Sequence, residues 1–155
     1  MRDSFRLLLF TAMLILFSVL IGCEEVVEEA AQQLFTTISG TVTDDGAPVE
    51  GAIVLLIESQ ESIIEGLDLT SGSISLASGS YIISLDVEPG NYYVCAIKDE
   101  NGNQSYDIDT DPIGYYGGFD TTLTVPIPSP EEVTVENEGD DIEGIDIEDM
   151  YILAK

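Results

Sequence analysis

Ser80-Tyr81-Ile82-Ile83-Ser84-Leu85-Asp86-Val87-Glu88-Pro89-Gly90-Asn91-Tyr92-Tyr93-Val94-Cys95-Ala96-Ile97-Lys98 is the stretch whose pattern decides the fold class. Tyr81, Ile83, Leu85 and Val87 fall at every second position, with Ile82, Ser84 and Asp86 between them. Side chains alternate across a strand, so this period sets one apolar row against a core and predicts a half-buried strand. Glu88-Pro89-Gly90-Asn91 gathers residues that favour a turn, and Tyr92–Lys98 then reads as the return strand.

The same period extends in both directions. In Thr37-Ile38-Ser39-Gly40-Thr41-Val42-Thr43, Ile38, Gly40 and Val42 share one face and hydroxyls fill the other, and Asp44-Asp45-Gly46-Ala47-Pro48 is a turn. Ala52–Ile57 is apolar on both faces, as expected of a central strand covered on both sides. Residues 61–79 mix Ser, Gly and Glu with Ile63-Ile64, Ile74 and Leu76, which suits an excursion carrying one weak hairpin. Further strands are expected at Thr121–Val125, Glu132–Val135 and Ile142–Leu153, the last with Ile145 and Ile147 alternating with Asp146 and Glu148. Roughly seven strands and no convincing amphipathic helix predict an all-β sandwich over residues 36–155. Its expected core includes Val42, Ala52, Val54, Leu56, Tyr81, Ile83, Leu85 and Val94.

The N-terminus follows different rules. Arg2 and Arg6 precede the apolar run Leu7–Ile21, which is broken only by Thr11 and Ser18. Such a run suits a secretory signal, being shorter than the ~20 residues of a spanning helix. Leu20-Ile21-Gly22-Cys23 resembles the lipobox of bacterial lipoproteins. The resemblance implies that residues 1–22, the signal helix, are removed and that Cys23 becomes the lipid-bearing N-terminus. It also implies that the chain is held at the cell envelope, outside the cytoplasm, by its acyl chains. Residues 24–35 (EEVVEEAAQQLF) then form a partly helical tether, since an isolated helix this short is marginal in water. With Cys23 acylated, Cys95 has no disulfide partner and reads as a small buried hydrophobe.

Two segments carry a second resemblance. Ile38–Thr43 with Asp45-Gly46-Ala47-Pro48-Val49-Glu50-Gly51-Ala52-Ile53-Val54 resembles the opening of carboxypeptidase regulatory-like domains. Ser78-Gly79-Ser80-Tyr81-Ile82-Ile83 with Pro89-Gly90-Asn91-Tyr92-Tyr93-Val94 resembles their middle hairpin. The resemblance covers residues 36–100 and the remainder loosely. It implies a seven-stranded transthyretin-like (prealbumin-like, Ig-like) β-sandwich, non-catalytic, serving as an accessory, adhesive or spacer module. Gly46 and Gly90 are expected to serve turns with positive φ, and Gly40 and Gly51 to mark bulges or close backbone approaches.

Charge narrows the partners. The chain carries 30 acids against 4 bases, a formal charge of −26. Loss of residues 1–22 removes Asp3, Arg2 and Arg6, leaving 29 acids against Lys98 and Lys155, a net −27. A surface of this sign repels phosphates, which argues against nucleic acid, and repels anionic lipid headgroups, which leaves the acyl chains as the membrane contact. The acidity fits either a solvated surface or cation binding. An envelope protein or a carbohydrate is the expected partner class, although the absence of Trp weakens the case for sugar stacking. With no His there is no Ser–His or Cys–His pair, and the reading is non-enzymatic.

One loop carries possible metal chemistry. Residues 99–111 place oxygen side chains at every second position: Asp99, Asn101, Asn103, Ser105, Asp107, Asp109 and Asp111. The start matches the D-x-[DN]-x-[DN] of a calcium loop, and calcium accepts about 6–8 oxygen ligands. Gln104 stands where the EF-hand has glycine and Thr110 where it has a bidentate Glu, so a full EF-hand is excluded. Asp99, Asn101, Asn103, Asp107 and Asp109 remain the candidate ligands of a looser site, with no cofactor required for the fold. The competing reading is a polar turn without metal. A loop of about twenty residues is uncommon inside a compact domain and points to function or a bound ion. The Tyr115, Tyr116 and Phe119 loop beyond it is either a sugar platform or packing beneath the loop.

Overall fold

The computed structural model describes residues 35–59, 69, 72–122 and 124–153. The signal segment, Cys23, the tether up to Leu34, and Ile63-Ile64 lie outside the described residues. The domain is all-β, with no helix among the described residues. Its strands are β1 (Thr36–Thr41), β2 (Thr43–Asp44), β3 (Ala47–Pro48), β4 (Ile53–Ile57), β5 (Ser73–Ile74) and β6 (Ser80–Leu85). They continue with β7 (Gly90–Ile97), β8 (Ile113–Tyr115), β9 (Phe119–Asp120), β10 (Ile127–Pro128), β11 (Val133–Val135) and β12 (Asp141–Ile142).

A three-stranded sheet runs β12-β1-β6, and a five-stranded sheet runs β11-β7-β4-β5 with β8 also paired to β7. Two small ribbons, β2-β3 and β9-β10, complete the set. The β2–β3 turn is legible in its sequence. Asp45 and Gly46 sit at φ 49° and 76°, the two positive values a tight I′ turn demands of an Asp-Gly pair.

The expected hairpin of β6 and β7 does not form. β6 pairs antiparallel with β1, from Thr36↔Leu85 to Thr41↔Ser80. β7 pairs with β4, from Ile53↔Ile97 to Ile57↔Tyr93. Glu88-Pro89 therefore carries the chain from one sheet to the other. The reason lies in the apolar rows: Tyr81 and Ile83 on β6 meet Val94 and Ala96 on β7 within one buried cluster, which both sheets line. Gly90 accordingly opens β7 and is not among the glycines with positive φ, whereas Gly51, at φ 71°, is a turn glycine.

β4 is covered on both faces, as its composition required. Ala52 and Val54 join Ile38, Val42, Tyr81 and Val94 in the cluster between the sheets. Leu55 and Ile57 join Cys95, Ile97, Ile113 and Tyr115 in a second cluster on the other face. Tyr106 from the long loop and Leu69 roof that second cluster, and both are buried. Of the expected core, Leu56 and Leu85 are only partly buried and pack at its margin. Both stand near strand ends, where cover thins.

Two expected strands take other forms. Thr121, Thr122, Thr124 and Val125 lie in the connection between β9 and β10, and Leu123 is outside the described residues. The Asp120 carboxylate accepts hydrogen bonds from the Thr122 N–H (2.9 Å) and hydroxyl (2.6 Å), a local alternative to ladder pairing. Ile142–Leu153 is not one strand, because Gly144 at φ 78° breaks its extension. It becomes a strap instead. β12 pairs parallel with β1, Ile147 bridges Val42, and Tyr151 bridges Ile113 of β8. Ile145 and Ile147 point inward and Asp146 and Glu148 outward, as their alternation predicts.

The strap lies directly on two glycines. A Cβ on Gly40 would collide with the Ile145 carbonyl, and one on Gly114 would fall 2.6 Å from Ile147 Cγ2 and 2.7 Å from the Asp149 carbonyl oxygen. Gly40 is thus the close approach expected of it. Neither glycine needs positive φ, so the constraint is space alone. Gly40→Ala should destabilise the domain by about 1–3 kcal/mol, the range for overpacking a filled site. Denaturant melts would show it, and a loss below ~0.5 kcal/mol would mean that the strap yields freely.

Candidate functional site

The 99–111 loop leaves β7 at Lys98, whose Nζ donates to the Glu50 carbonyl at 2.6 Å. Its base is closed by Asp111, which is fully buried. One oxygen of Asp111 accepts the Glu100 N–H at 3.1 Å and the other the Asp107 N–H at 2.9 Å. Two charge-assisted bonds to backbone offset the burial of the carboxylate. Next to this clamp the Tyr106 ring turns inward, and its hydroxyl has no partner among the described residues. Burial, then the Asp111 charge, pushes this hydroxyl up to about 12, so it stays protonated.

The candidate ligands come together in part. Asp107 Oδ2 accepts from the side-chain amides of Asn101 and Asn103, both at 2.7 Å. The Asn101 and Asn103 side-chain oxygens accept the N–H groups of Asn103 (2.9 Å) and Ser105 (2.8 Å). Asp99 accepts from the N–H of Gly102 at 2.7 Å and of Gln104 at 2.8 Å. Gln104 takes φ 62° where an EF-hand loop would place glycine. Asp109 is exposed and has an interaction of its own. Three of the five residues, Asn101, Asn103 and Asp107, therefore share one cluster, and Asp99 caps the turn beside it. Among the described residues no group of three or more acidic or thiol side chains converges as a metal site.

The aromatic residues past the loop pack with one another. Tyr115 meets Phe119 edge-on at 5.3 Å between centroids, and Phe119 meets Tyr151 at 4.7 Å. Packing beneath the loop is thus the outcome for Tyr115, which is buried, while Tyr116 is half-buried and packs on the core between the sheets. Cys95 is fully buried, and burial pushes its thiol up to about 12, which makes it a packing residue and a poor nucleophile.

A cleft of about 450 Å³ opens beside Tyr116. The turn Tyr116-Gly117-Gly118 forms one wall, and Gly144, Asp146, Glu148 and Asp149 of the strap form the other. Glu131 closes the end, its N–H bonded to the Tyr116 carbonyl at 2.9 Å. Asp146 is fixed by the Thr41 N–H at 2.8 Å and hydroxyl at 2.7 Å. The sequence reading did not reach these carboxylates as a group. Alternation with Ile145 and Ile147 put Asp146 and Glu148 on the outer face, but only the strap's path brings them to the Tyr116 turn.

Comparison with family models, with characterised proteins and with solved structures finds no match to this chain.

Desolvation raises the Asp99 carboxyl, but the N–H groups of Gln104, Gly102, Asn103 and Asn101 together outweigh it and hold the group below the usual carboxylate range. A depressed folded value means that ionised Asp99 supports the loop fully above the unfolded value of ~3.9 and ceases to as pH falls through the folded one. Hydrogen-exchange protection at the Gly102 and Gln104 amides should therefore fall below about pH 4. Asp99→Asn should remove that pH dependence; an unchanged profile would assign it to another acid.

Proposed function

We propose that this chain is a lipid-anchored envelope protein whose domain, a sandwich of the transthyretin-like kind, works as a non-catalytic structural or adhesive module. The observation that carries the reading is the place of the domain's first strand in its sheet. The first strand after the expected tether in sequence, β1 from Thr36, is the middle strand of its sheet, flanked by β6 and β12. Load applied through Cys23 would pass along a strand bonded on both edges, so many ladder hydrogen bonds would bear it together. Replacing Cys23 by Ser should abolish acylation and leave an uncleaved precursor or a released protein. Mass spectrometry of the mature N-terminus reads this directly, and cleavage elsewhere or an unmodified Cys23 in the native protein would refute the anchor.

Calcium dependence is a second reading, favoured by the gathering of Asn101 and Asn103 on Asp107. Rotation of the two carboxamides would turn oxygens toward that carboxylate, giving the oxygen-rich, flexible surroundings that suit calcium better than magnesium. A hundredfold excess of calcium over Kd would stabilise the fold by about 2.7 kcal/mol. Melting in calcium chloride and in sodium chloride of equal ionic strength separates this from diffuse screening. If Asp99→Ala with Asp107→Ala keeps the whole calcium-specific shift, the loop is a polar turn.

A further inference from the structure

Acid is spread over most of the sequence, 30 acidic residues in 155, but residues 30–43 and residues 69–85 carry no charge at all. They are the longest uncharged runs after Cys23, and the fold lays them side by side. β1 comes from the first and β6 from the second, paired from Thr36↔Leu85 to Thr41↔Ser80. Residues directly opposite in an antiparallel pair share a face. Thr37, Ser39 and Thr41 therefore stand with Ser84, Ile82 and Ser80 on the side away from the core, where every side chain except Ile82 is a hydroxyl. Ile74 and Leu76 lie beside β6. The Ser73 hydroxyl donates to the Ile82 carbonyl at 2.6 Å, and the Leu76 N–H donates to the Ser80 carbonyl at 2.9 Å. Ile74, Leu76 and Ile82 are 65 %, 65 % and 64 % exposed. An apolar hollow of about 260 Å³ lies among them, lined also by Ser80 and Tyr81. Asp141 and Asp146 are on the other side of β1, where their carboxylates accept the Thr37 and Thr41 hydroxyls at 2.5 Å and 2.7 Å.

We infer that this uncharged face docks on the lipid bilayer and seats Ile74, Leu76 and Ile82 in the headgroup layer. Exposed apolar side chains gathered within a polar rim mark a protein or membrane contact. What selects the bilayer is the length of chain that leads to the face. Only twelve residues, 24–35, separate Cys23 from β1. They span at most about 43 Å when extended and about 18 Å as a helix. Ser39, opposite Ile82, is three residues beyond Thr36, a further distance of about 10 Å along the strand. A bilayer holding the acyl chains is therefore always within reach, and a contact made on such a tether needs little affinity of its own. Phe35, 56 % exposed, stands just before β1 on the same approach. A second copy is disfavoured by the mutual repulsion of two chains of this charge, whereas a zwitterionic headgroup layer has no net charge. Net charge by itself leaves the acyl chains as the membrane contact, but the pairing of β1 with β6 clears acids from one face. The inference rests on the anchor reading and deepens it by naming the surface that the domain turns to the membrane.

The chain has no tryptophan, so a single introduced one reports its own surroundings. The full-length chain is placed in phosphatidylcholine vesicles, with and without bromine on the acyl chains of the lipid. Ser84→Trp puts the probe at an exposed position of β6 beside Ile82, and Thr134→Trp puts it at an exposed position of β11, the far edge of the other sheet. Brominated lipid should quench the Ser84→Trp emission, which should also shift to shorter wavelength, and should leave Thr134→Trp as in water. Ile74→Ser with Leu76→Ser and Ile82→Ser, all at exposed positions, should abolish the quenching of Ser84→Trp. Equal quenching of the two probes, or quenching that survives the three substitutions, overturns the proposal. So does a Ser84→Trp blue shift that grows with surface density and is blind to bromine, which would make the occupant a second copy. Mass spectrometry of the N-terminus scores the anchor separately, because residues 1–22, if retained, would hold the chain at the vesicle in place of acyl chains. Quenching of Ser84→Trp with an unmodified Cys23 would end the anchor reading and keep the docking face.

Discussion

The double burial of β4 is the constraint on which the rest of the domain depends. A strand apolar on both faces is stable only if each face finds its own cover, and here the covers differ in kind. One face meets the opposing sheet through Ile38, Val42, Tyr81 and Ile83. The other is roofed by a loop and by isolated residues, chiefly Tyr106, Ile108 and Leu69. The length of the 99–111 segment thus has a packing cause before it has any ligand. It must leave the sheet, carry Tyr106 back over Cys95 and Tyr115, and return to β8. The buried Asp111 clamp makes that path possible, since it binds the loop's two limbs through their backbone.

The strap supplies the second half of the architecture. It runs beside β1, crosses Gly40, passes Gly114 and ends on β8, so it ties one sheet to the other through backbone bonds. Its inward residues complete the core and its outward residues build the acidic wall of the cleft. One alternating sequence therefore builds the packed core on one side and an acidic surface on the other. The polar side can vary at little cost to the packed side, and Asp146 is the exception because it also bonds Thr41.

The acidity is distributed in two ways. In the 99–111 loop three carboxylates are engaged locally: Asp99, Asp107 and Asp111 accept backbone or amide hydrogens. Around the cleft the side chains of Glu131, Glu148 and Asp149 find no such donors among the described residues. A carboxylate that accepts local backbone hydrogens shapes a loop, whereas an exposed one without such donors is left to solvent.

What the sequence by itself determined was parity and turn chemistry. Alternation set which of Tyr81, Ile83, Ile145 and Ile147 point inward, the double-faced run at Ala52–Ile57 required two covers, and Asp45-Gly46 demanded its turn, because side-chain direction and φ are properties of neighbouring residues. The alternating oxygens of 99–111 were equally visible, but their reading as ligands or as a hydrogen-bonded turn was not. What only the tertiary structure decided was partnership. The chain from Ser80 to Lys98 has the pattern of a hairpin, yet its two strands join different sheets, and the turn at Pro89-Gly90 becomes a crossing. Either arrangement satisfies the local alternation. The choice rests on which long-range pairing buries both faces of β4, and that free energy belongs to the assembled core rather than to any segment.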